Sequence, residues 1–449
     1  MEWQNEYQTT ISVTDKGKIM LKRYIAILLC VLLLGGLISC GSSEDAVESD
    51  TQDTVSGTES TDALGGSDKD ADDGKTDNGK TDGGKTEVEK VATKKTLDSS
   101  TAGIKILGER HARSNDSIYC DWTCSGIEFT LESIGGTVSF TASSDAPCLF
   151  RAYVDGSEWV SADGSLYYTV NGETTVTLKS VPEGEHVIRF IKISGHTTAR
   201  AELKSVTYYG TLGDTAPADN RLYIEFIGDS ISTGCDNLGV PDTVSNAYLT
   251  EDGALAYPYM LATALGADYS ITALKGRGVV FGNPNLSSAY LLASPLRSGE
   301  SSTAYDFERK ADVAVINLET NDYLQSVSVS QFTDAYKSLI ETVRQKNGEE
   351  CRIICLYNTM RADTEMGAAI VSIVNELGGS NAGIYAQKLD HSGGGHPTAA
   401  QNRGYMSVIK PVIEQAIATP IQKVKQYLTD GGAANADGIV INFSEKFDK

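Results

Sequence analysis

Apolar and polar positions change rhythm twice along this chain, and each change predicts a different architecture. Short runs alternate apolar with polar residues at Ile127 to Leu131, Thr137 to Phe140, Leu149 to Val154, Tyr167 to Val170, Thr174 to Leu178, His186 to Ile193 and Ala201 to Tyr208. Gly, Asp, Asn and Ser turns separate them, and no helical stretch intervenes. Period-two strands at that spacing predict an antiparallel sandwich over residues 101–215, with order beginning near Ile104. After the turn region Thr211 to Asn220, apolar strands at Tyr223 to Ile227, Tyr269 to Leu274, Val313 to Leu318, Ile353 to Tyr357 and Ile384 to Leu389 alternate with helical periods. The helices are Tyr257 to Leu265, Gln331 to Gln345, Glu365 to Leu377 and Ala399 to Ile417, the last interrupted at Pro411. That alternation predicts a parallel sheet covered on both faces, an α/β domain over residues 220–419. Residues 420–449 carry no pattern that assigns them a role.

The first hundred residues have neither rhythm. Met20, Lys22 and Arg23 precede the short apolar core Tyr24 to Ser39, which ends in L-I-S-C at Cys40. The core is too short for a comfortable membrane span, and residues 1–40 look like a bacterial lipoprotein signal whose cysteine, Cys40, is lipidated. A secretory peptide cut without lipidation is the alternative, and Met20 is a natural start. Residues 41–100 hold 16 acidic residues against 7 lysines and hardly any apolar side chain, so they predict a disordered acidic tether. Within it, Gly74 to Thr81 and Gly79 to Thr86 satisfy the letters of a phosphate-binding loop. No strand precedes them and no helix follows, and the match comes from a repeated D-x-G-K-T unit, so nucleotide binding is rejected. The whole chain has a formal net charge of −22, which opposes a phosphate backbone, and nucleic acid is not expected as a partner.

Candidate chemistry concentrates at strand ends of the α/β region. The stretch Tyr223 to Cys235, Y-I-E-F-I-G-D-S-I-S-T-G-C, is a strand that stops at Gly228 and leaves Asp229 and Ser230 beyond its carboxyl end. Loops there hold reacting groups above a rigid floor, so Ser230 is placed as a nucleophile. Asn317 to Asp322, N-L-E-T-N-D, puts the amide of Asn321 past another strand end, and Asp390 to Pro397, D-H-S-G-G-G-H-P, supplies His396. Of five histidines, only His391 and His396 fall in the α/β region.

At these residues the sequence resembles the SGNH, or GDSL-like, hydrolases, whose nucleophile, oxyanion asparagine and base lie in G-D-S, G-x-N-D and D-x-x-H blocks. With Lys105 to Phe129, K-I-L-G-E-R-H through C-D-W-T-C-S-G-I-E-F, it resembles carbohydrate esterase family 2, in which a jelly roll precedes the catalytic domain. The resemblance implies a three-layer α/β/α SGNH-hydrolase domain with a parallel sheet, preceded by an all-β jelly-roll sandwich. It also implies Ser230 as nucleophile and His396 as base, with an oxyanion hole from the Ser230 and Gly276 N–H groups and the Asn321 side chain. Gly278 answers to the same glycine block as Gly276. Two positions depart from the family: Glu319 stands where G-x-N-D wants glycine, and Gly393 where D-x-x-H wants the acid. The reading that follows is a Ser–His dyad with His396 held by a main-chain carbonyl, or by Asp390 reaching round the turn.

The expected activity is removal of O-acetyl groups from polysaccharides such as xylan or glucomannan, by a monomer on a lipid anchor, with no cofactor and no metal. Alternatives are an esterase or lipase of the same fold on other acyl groups, and an inactive sugar-binding lipoprotein. Trp122 and Trp159 are open to either core or sugar-stacking roles, and Tyr323 is a stacking candidate near Asn321. The cysteines Cys120, Cys124, Cys148, Cys235, Cys351 and Cys355 give no disulfide framework and read as buried or free thiols.

Overall fold

The computed structural model describes residues 90–108, 110, 116–220, 222–296, 304–390 and 395–421. The signal with Cys40, most of the tether, His391, Gly393 and residues 422–449 therefore lie outside the described residues. From Lys90 onward the chain belongs to one compact unit.

Its first part is antiparallel throughout. Among the described residues ten strands form this sheet: β1 (Thr93–Thr96), β2 (Ile104–Leu107), β3 (Ile118–Tyr119), β4 (Gly126–Gly136), β5 (Ser139–Val154), β6 (Ser157–Trp159), β7 (Tyr168–Thr177), β8 (Val181–Lys192), β9 (Ala201–Tyr208) and β10 (Gly210–Leu212). Inward residues alternate along them as the period predicts. Phe140, Phe190 and Phe150 stack at ring separations of 4.2 and 4.8 Å in the middle of the core.

Three boundaries differ from the sequence reading. Strands expected at Thr137 to Phe140 and Leu149 to Val154 are the two ends of β5, which pairs with β7 as far as Phe150, with β9 along its first half and with β8 and β6 along its second. A register shift between Ser144 and Cys148 bends the strand there, a bulge that a polar run disguises as a turn. In β7, Asn171-Gly172-Glu173 likewise reads as a turn but stays paired, Gly172 taking φ +61° opposite Ser144. Finally, β1 lies within the expected tether: T-K-K-T is polar, yet it pairs with β9 and leads to the fully buried Leu97.

The second part is a parallel sheet of five strands in the order β12-β11-β13-β14-β15, with β11 (Tyr223–Gly228), β12 (Asp268–Ala273), β13 (Val313–Asn317), β14 (Arg352–Tyr357) and β15 (Ile384–Lys388). Side chains alternate between its faces. Ile224, Phe226, Val313 and Val315 pack with α2 (Tyr257–Leu265) and α7 (Ala399–Ala418). Tyr223, Ile227, Ala314 and Ile316 pack with α5 (Val329–Asn347) and α6 (Glu365–Glu376). Helix α5 begins in a Ser328–Gln331 capping box and buries Phe332, Tyr336, Leu339, Ile340 and Val343, an i, i+4, i+7 stripe. Helix α7 runs unbroken through Pro411 instead of being interrupted there. Two short helices, α1 (Ser230–Thr233) and α4 (Thr320–Leu324), follow β11 and β13, and α3 (Leu286–Ala289) lies between β12 and β13.

The two parts share a core. Leu107, Leu149, Tyr153, Ile191 and Ile193 of the sandwich pack in the same cluster as Phe226 and Tyr257. Polar ties reinforce the seam: Tyr269 Oη donates to Cys124 O at 2.7 Å, and Trp122 Nε1 donates to Ala293 O at 2.7 Å. Trp122 is thereby a core residue, edge-on to His196. The most buried tie is Arg110, which reaches Glu225 of β11 at 2.9 Å with both side chains excluded from water. Tyr290, Tyr305 and Phe307 face its guanidinium at 4.2–4.8 Å, while Tyr290 Oη and Asn347 Nδ2 complete the carboxylate's shell at 2.7 and 2.8 Å.

Removing one member of a buried ion pair leaves the other charged, dry and unpaired. Arg110→Ala should therefore lower unfolding free energy by about 3–5 kcal/mol in urea melts. A loss below about 1 kcal/mol, the size of an exposed pair, would contradict the clasp.

Candidate active site

Strand β11 is buried along all six residues and paired on both sides, so its carboxyl end is fixed in position. In the order β12-β11-β13, the chain passes from β11 to β12 on one side and then crosses to β13 on the other, so the crevice between β11 and β13 is the topological switch point of the sheet. Ser230 follows β11 there, and Asn321 follows β13. Gly228 is required by the tight exit, since a Cβ on it would stand 2.0 Å from Ser232 Oγ. Asp229 then caps α1, its carboxylate accepting from Ile231 N at 3.0 Å, and Ser230, 5% exposed, opens the helix.

His396 arrives from the other end of the chain. It precedes α7, whose Thr398–Gln401 capping box fixes the helix start. Ala399 N donates to Asn237 O at 2.9 Å, which ties this segment to the loop after α1. The imidazole lies between two oxygens: Nε2 is 2.8 Å from Ser230 Oγ, and Nδ1 is 3.0 Å from Asp236 Oδ2. With Nδ1–H donating to the carboxylate, Nε2 is left to accept the Ser230 hydroxyl proton. This is a Ser–His–Asp line, not a dyad.

The acid of that line is not Asp390. Asp390 is 94% exposed and stands 3.9 Å from Lys388, while the position of Gly393 lies outside the described residues. Asp236 sits six residues after the serine, on the far side of α1, at φ +55°. Asn237 fixes the same turn by exchanging hydrogen bonds with the Asp252 main chain at 2.7 and 3.1 Å. Sequence reasoning missed Asp236 because it sought the acid near the histidine, and G-C-D carries no periodic or motif signal.

Electrostatics follow from this packing. Burial alone would lower the His396 pKa, but the Cys235 sulfur and the Asp236 carboxylate outweigh it and hold the imidazole well above its ordinary value. Burial pushes the Asp236 carboxyl up, but the His396 hydrogen bond and charge, with Lys275, bring it below the usual carboxylate range.

The oxyanion candidates converge from β12 and β13. Asn321 Nδ2 donates to Asp229 Oδ2 at 3.1 Å and to Arg277 O at 2.9 Å, which aims the amide across the crevice toward Ser230's own loop. Gly276 and Gly278 separate in role. Gly278 donates to Phe281 O, and a Cβ on it would strike the Asp322 carboxylate at 2.3 Å, so it serves the loop's packing. Gly276 takes φ +71° with open space where a Cβ would stand, leaving its backbone approachable. Asp322 anchors this loop by accepting from Val279, Val280 and Phe281 N at 2.7, 3.0 and 2.8 Å. Glu319 does not face solvent: it is buried, accepts from Asn358 N at 2.7 Å and lies 3.4 Å from Thr364 Oγ1. Burial pushes its pKa up to about 7 and that of Asp229 up to about 6. Tyr323 is 37% exposed, two residues past Asn321. None of the six described cysteines is in a disulfide.

Comparison with known proteins places this geometry. Residues 226–382 match the GDSL-like Lipase/Acylhydrolase family. The chain is 28% identical over 295 residues to the cellulase/esterase CelE of Acetivibrio thermocellus, covering 63% of this chain and 34% of that protein. It is 23% identical over 316 residues to an acetylxylan esterase / glucomannan deacetylase of Cellvibrio japonicus, covering 66% of this chain and 85% of that one. The chain thus spans about a third of the first of these curated relatives and most of the second. Among solved structures, an active-site mutant of a family two carbohydrate esterase from Clostridium thermocellum superposes with a TM-score of 0.61 at 25% identity, over 71% of this chain and 99% of that one. The chain carries a GDSL-like acylhydrolase domain behind an antiparallel sandwich, the arrangement of the family two carbohydrate esterases.

Proposed function

We propose that this protein is a surface-anchored carbohydrate O-acetyl esterase, hydrolysing acetyl esters on polysaccharides such as xylan or glucomannan. The observation that carries the reading is the unbroken hydrogen-bonded line Ser230–His396–Asp236 at the switch point of the sheet. The names borne by its relatives support the substrate class. Ser230 Oγ attacks the acetyl carbonyl while His396 Nε2 takes its proton, and Asp236 stabilises the imidazolium so formed. Negative charge on the carbonyl oxygen is met by the N–H groups of Ser230 and Gly276 and by Asn321 Nδ2, one of whose hydrogens turns from its resting partner. His396 then protonates the departing sugar hydroxyl, and water repeats the sequence on the acetyl-enzyme. The charge of Asp236 distinguishes this mechanism from a dyad, since a main-chain carbonyl holds the ring but stabilises imidazolium less.

The anchor reading rests on the Lys22 to Cys40 pattern, with the acidic stretch before β1 as spacer and a monomer at its end. On that reading Cys40→Ala releases the protein from membranes. A variant that fractionates with membranes as before, together with a wild type that takes up no lipid label, contradicts it.

Turnover is expected to separate the two carboxylates. Ser230→Ala and His396→Ala should abolish acetate release from acetylated xylan and glucomannan, and Asp236→Asn should lower kcat by about 10⁴-fold. Asn321→Ala should cost about 10²–10³-fold, as for a single oxyanion donor. Asp390→Asn should stay near wild type; a loss there as deep as at Asp236, in a variant that melts normally, contradicts the assignment.

Dependence on pH follows from His396. The neutral imidazole is the working base and its pKa is raised, so kcat/KM should climb with pH along a limb above the ordinary histidine value of about 6.5. Removing the Asp236 charge lowers that pKa, and the limb in Asp236→Asn should move to lower pH. A limb that moves up or stays put would show that Asp236 does not act on His396.

A further inference from the structure

Beside the reacting line stands a group that hydrolysis does not use. Cys235 precedes Asp236, is 5% exposed, and is held by its N–H donating to Ser230 O at 3.0 Å. Its Sγ, a carboxylate oxygen of Asp236 and a ring nitrogen of His396 all lie within 4.8 Å of one another. We propose that Cys235, Asp236 and His396 form a binding site for a borderline-soft divalent cation of the zinc type, and that occupying it switches the hydrolase off.

The donor set is the argument. One thiolate, one imidazole and one carboxylate suit zinc, and poorly suit magnesium or calcium, which prefer oxygen ligands alone. Around a tetrahedral zinc, donor atoms stand about 3.3–3.8 Å apart given bond lengths of about 2.0–2.3 Å. Nδ1 and Asp236 Oδ2 are already 3.0 Å apart, so a rotation of the Cys235 side chain closes the set. Asp236 and His396 keep 24% and 22% of their side-chain surface exposed, which leaves an approach for the ion and room for a water as fourth ligand. The neighbouring cation is Lys275, itself tied to Glu251 at 3.5 Å and Thr198 at 3.2 Å. Its ammonium opposes a dication, which makes this a site filled when zinc is abundant and not a permanent structural one.

The consequence for catalysis is set by which ring nitrogen is taken. Only Nδ1 faces Asp236; Nε2 faces Ser230. Binding releases the thiol proton to solvent and puts the metal on Nδ1 of the neutral ring, whose single hydrogen has to leave that nitrogen. That hydrogen moves to Nε2, which becomes a donor toward Ser230 Oγ and can no longer receive its proton. Asp236 is drawn to the metal at the same time. The loss of turnover rests on the proposed esterase reading, whereas the binding itself does not.

The test uses the full chain, wild type and Ser230→Ala, with zinc followed by calorimetry and cobalt by absorption in thiol-free buffer. Both proteins should bind one zinc, and cobalt should give a thiolate-to-metal charge-transfer band. Cys235→Ser should weaken zinc binding by roughly tenfold or more and remove the band. Zinc should suppress acetate release by wild type, reversibly with a chelator, and should suppress Cys235→Ser less relative to that variant's own metal-free rate. Cobalt bound without a thiolate band, zinc binding unchanged in Cys235→Ser, or stoichiometric zinc with full turnover would each overturn the proposal. The band on wild type decides the matter even where Cys235→Ser does not fold. A protein that releases no acetate under any condition would refute the esterase reading and leave binding and spectrum to judge this one.

Discussion

The fixed carboxyl end of β11 is the constraint on which the rest of the site depends. Six buried residues with neighbours on both sides leave that strand no freedom to shift, and Gly228 admits the turn only because no Cβ is present to strike Ser232. Everything else is brought to Ser230, not the reverse. Asn321 comes from just past the adjacent strand, the Gly276 loop from the strand on the other side, and His396 from the segment, more than 160 residues later, that leads into a capped helix tied to the Asn237 loop. The sandwich contributes through the same strand, because Arg110 holds Glu225 in its middle. Sandwich and hydrolase sheet are thus mechanically one body in this unit, with a shared core, and not a binding module on a free hinge.

A second theme is the concentration of carboxylates around Ser230. Asp229, Glu319 and Asp322 are all buried, and burial raises the pKa of each. Their backbone N–H partners oppose that rise, and each carboxylate fixes a loop: Asp229 the start of α1, Glu319 the Asn358 loop, Asp322 the Val279 to Phe281 loop. The acids therefore organise backbone, while Asp236 at the rim, its pKa lowered, faces the imidazole of His396. Glu319 in place of the family's glycine fits this pattern as a strut, since its side chain reaches across to β14's exit.

What was legible in the sequence was whatever repeats or ends abruptly. Strand and helix periods located the elements of the α/β part nearly to the residue, as at the helix Tyr257–Leu265, and the G-D-S and H-P contexts located Ser230 and His396, which the fold brings to 2.8 Å. What was not legible depends on a bend or on distance. β5 looked like two strands because its bulge is polar, and β1 was lost in the acidic stretch because only Leu97 marks its burial. Asp236 was invisible for the same reason as the Cys235 cluster: α1 is a single turn, and residues that leave it at left-handed φ are aimed by the turn and not by any period. Sequence proximity favoured Asp390, which the fold leaves in solvent.

The central claim is that Ser230 is a nucleophile activated through His396 and Asp236. Exposing the full chain to a fluorophosphonate and mapping the adduct by peptide mass spectrometry tests it without any assumption about substrate. The account predicts a single adduct on Ser230, formed far more slowly in Asp236→Asn and at an unchanged rate in Asp390→Asn. An adduct on another serine, or labelling of Ser230 that is indifferent to Asp236, would contradict it.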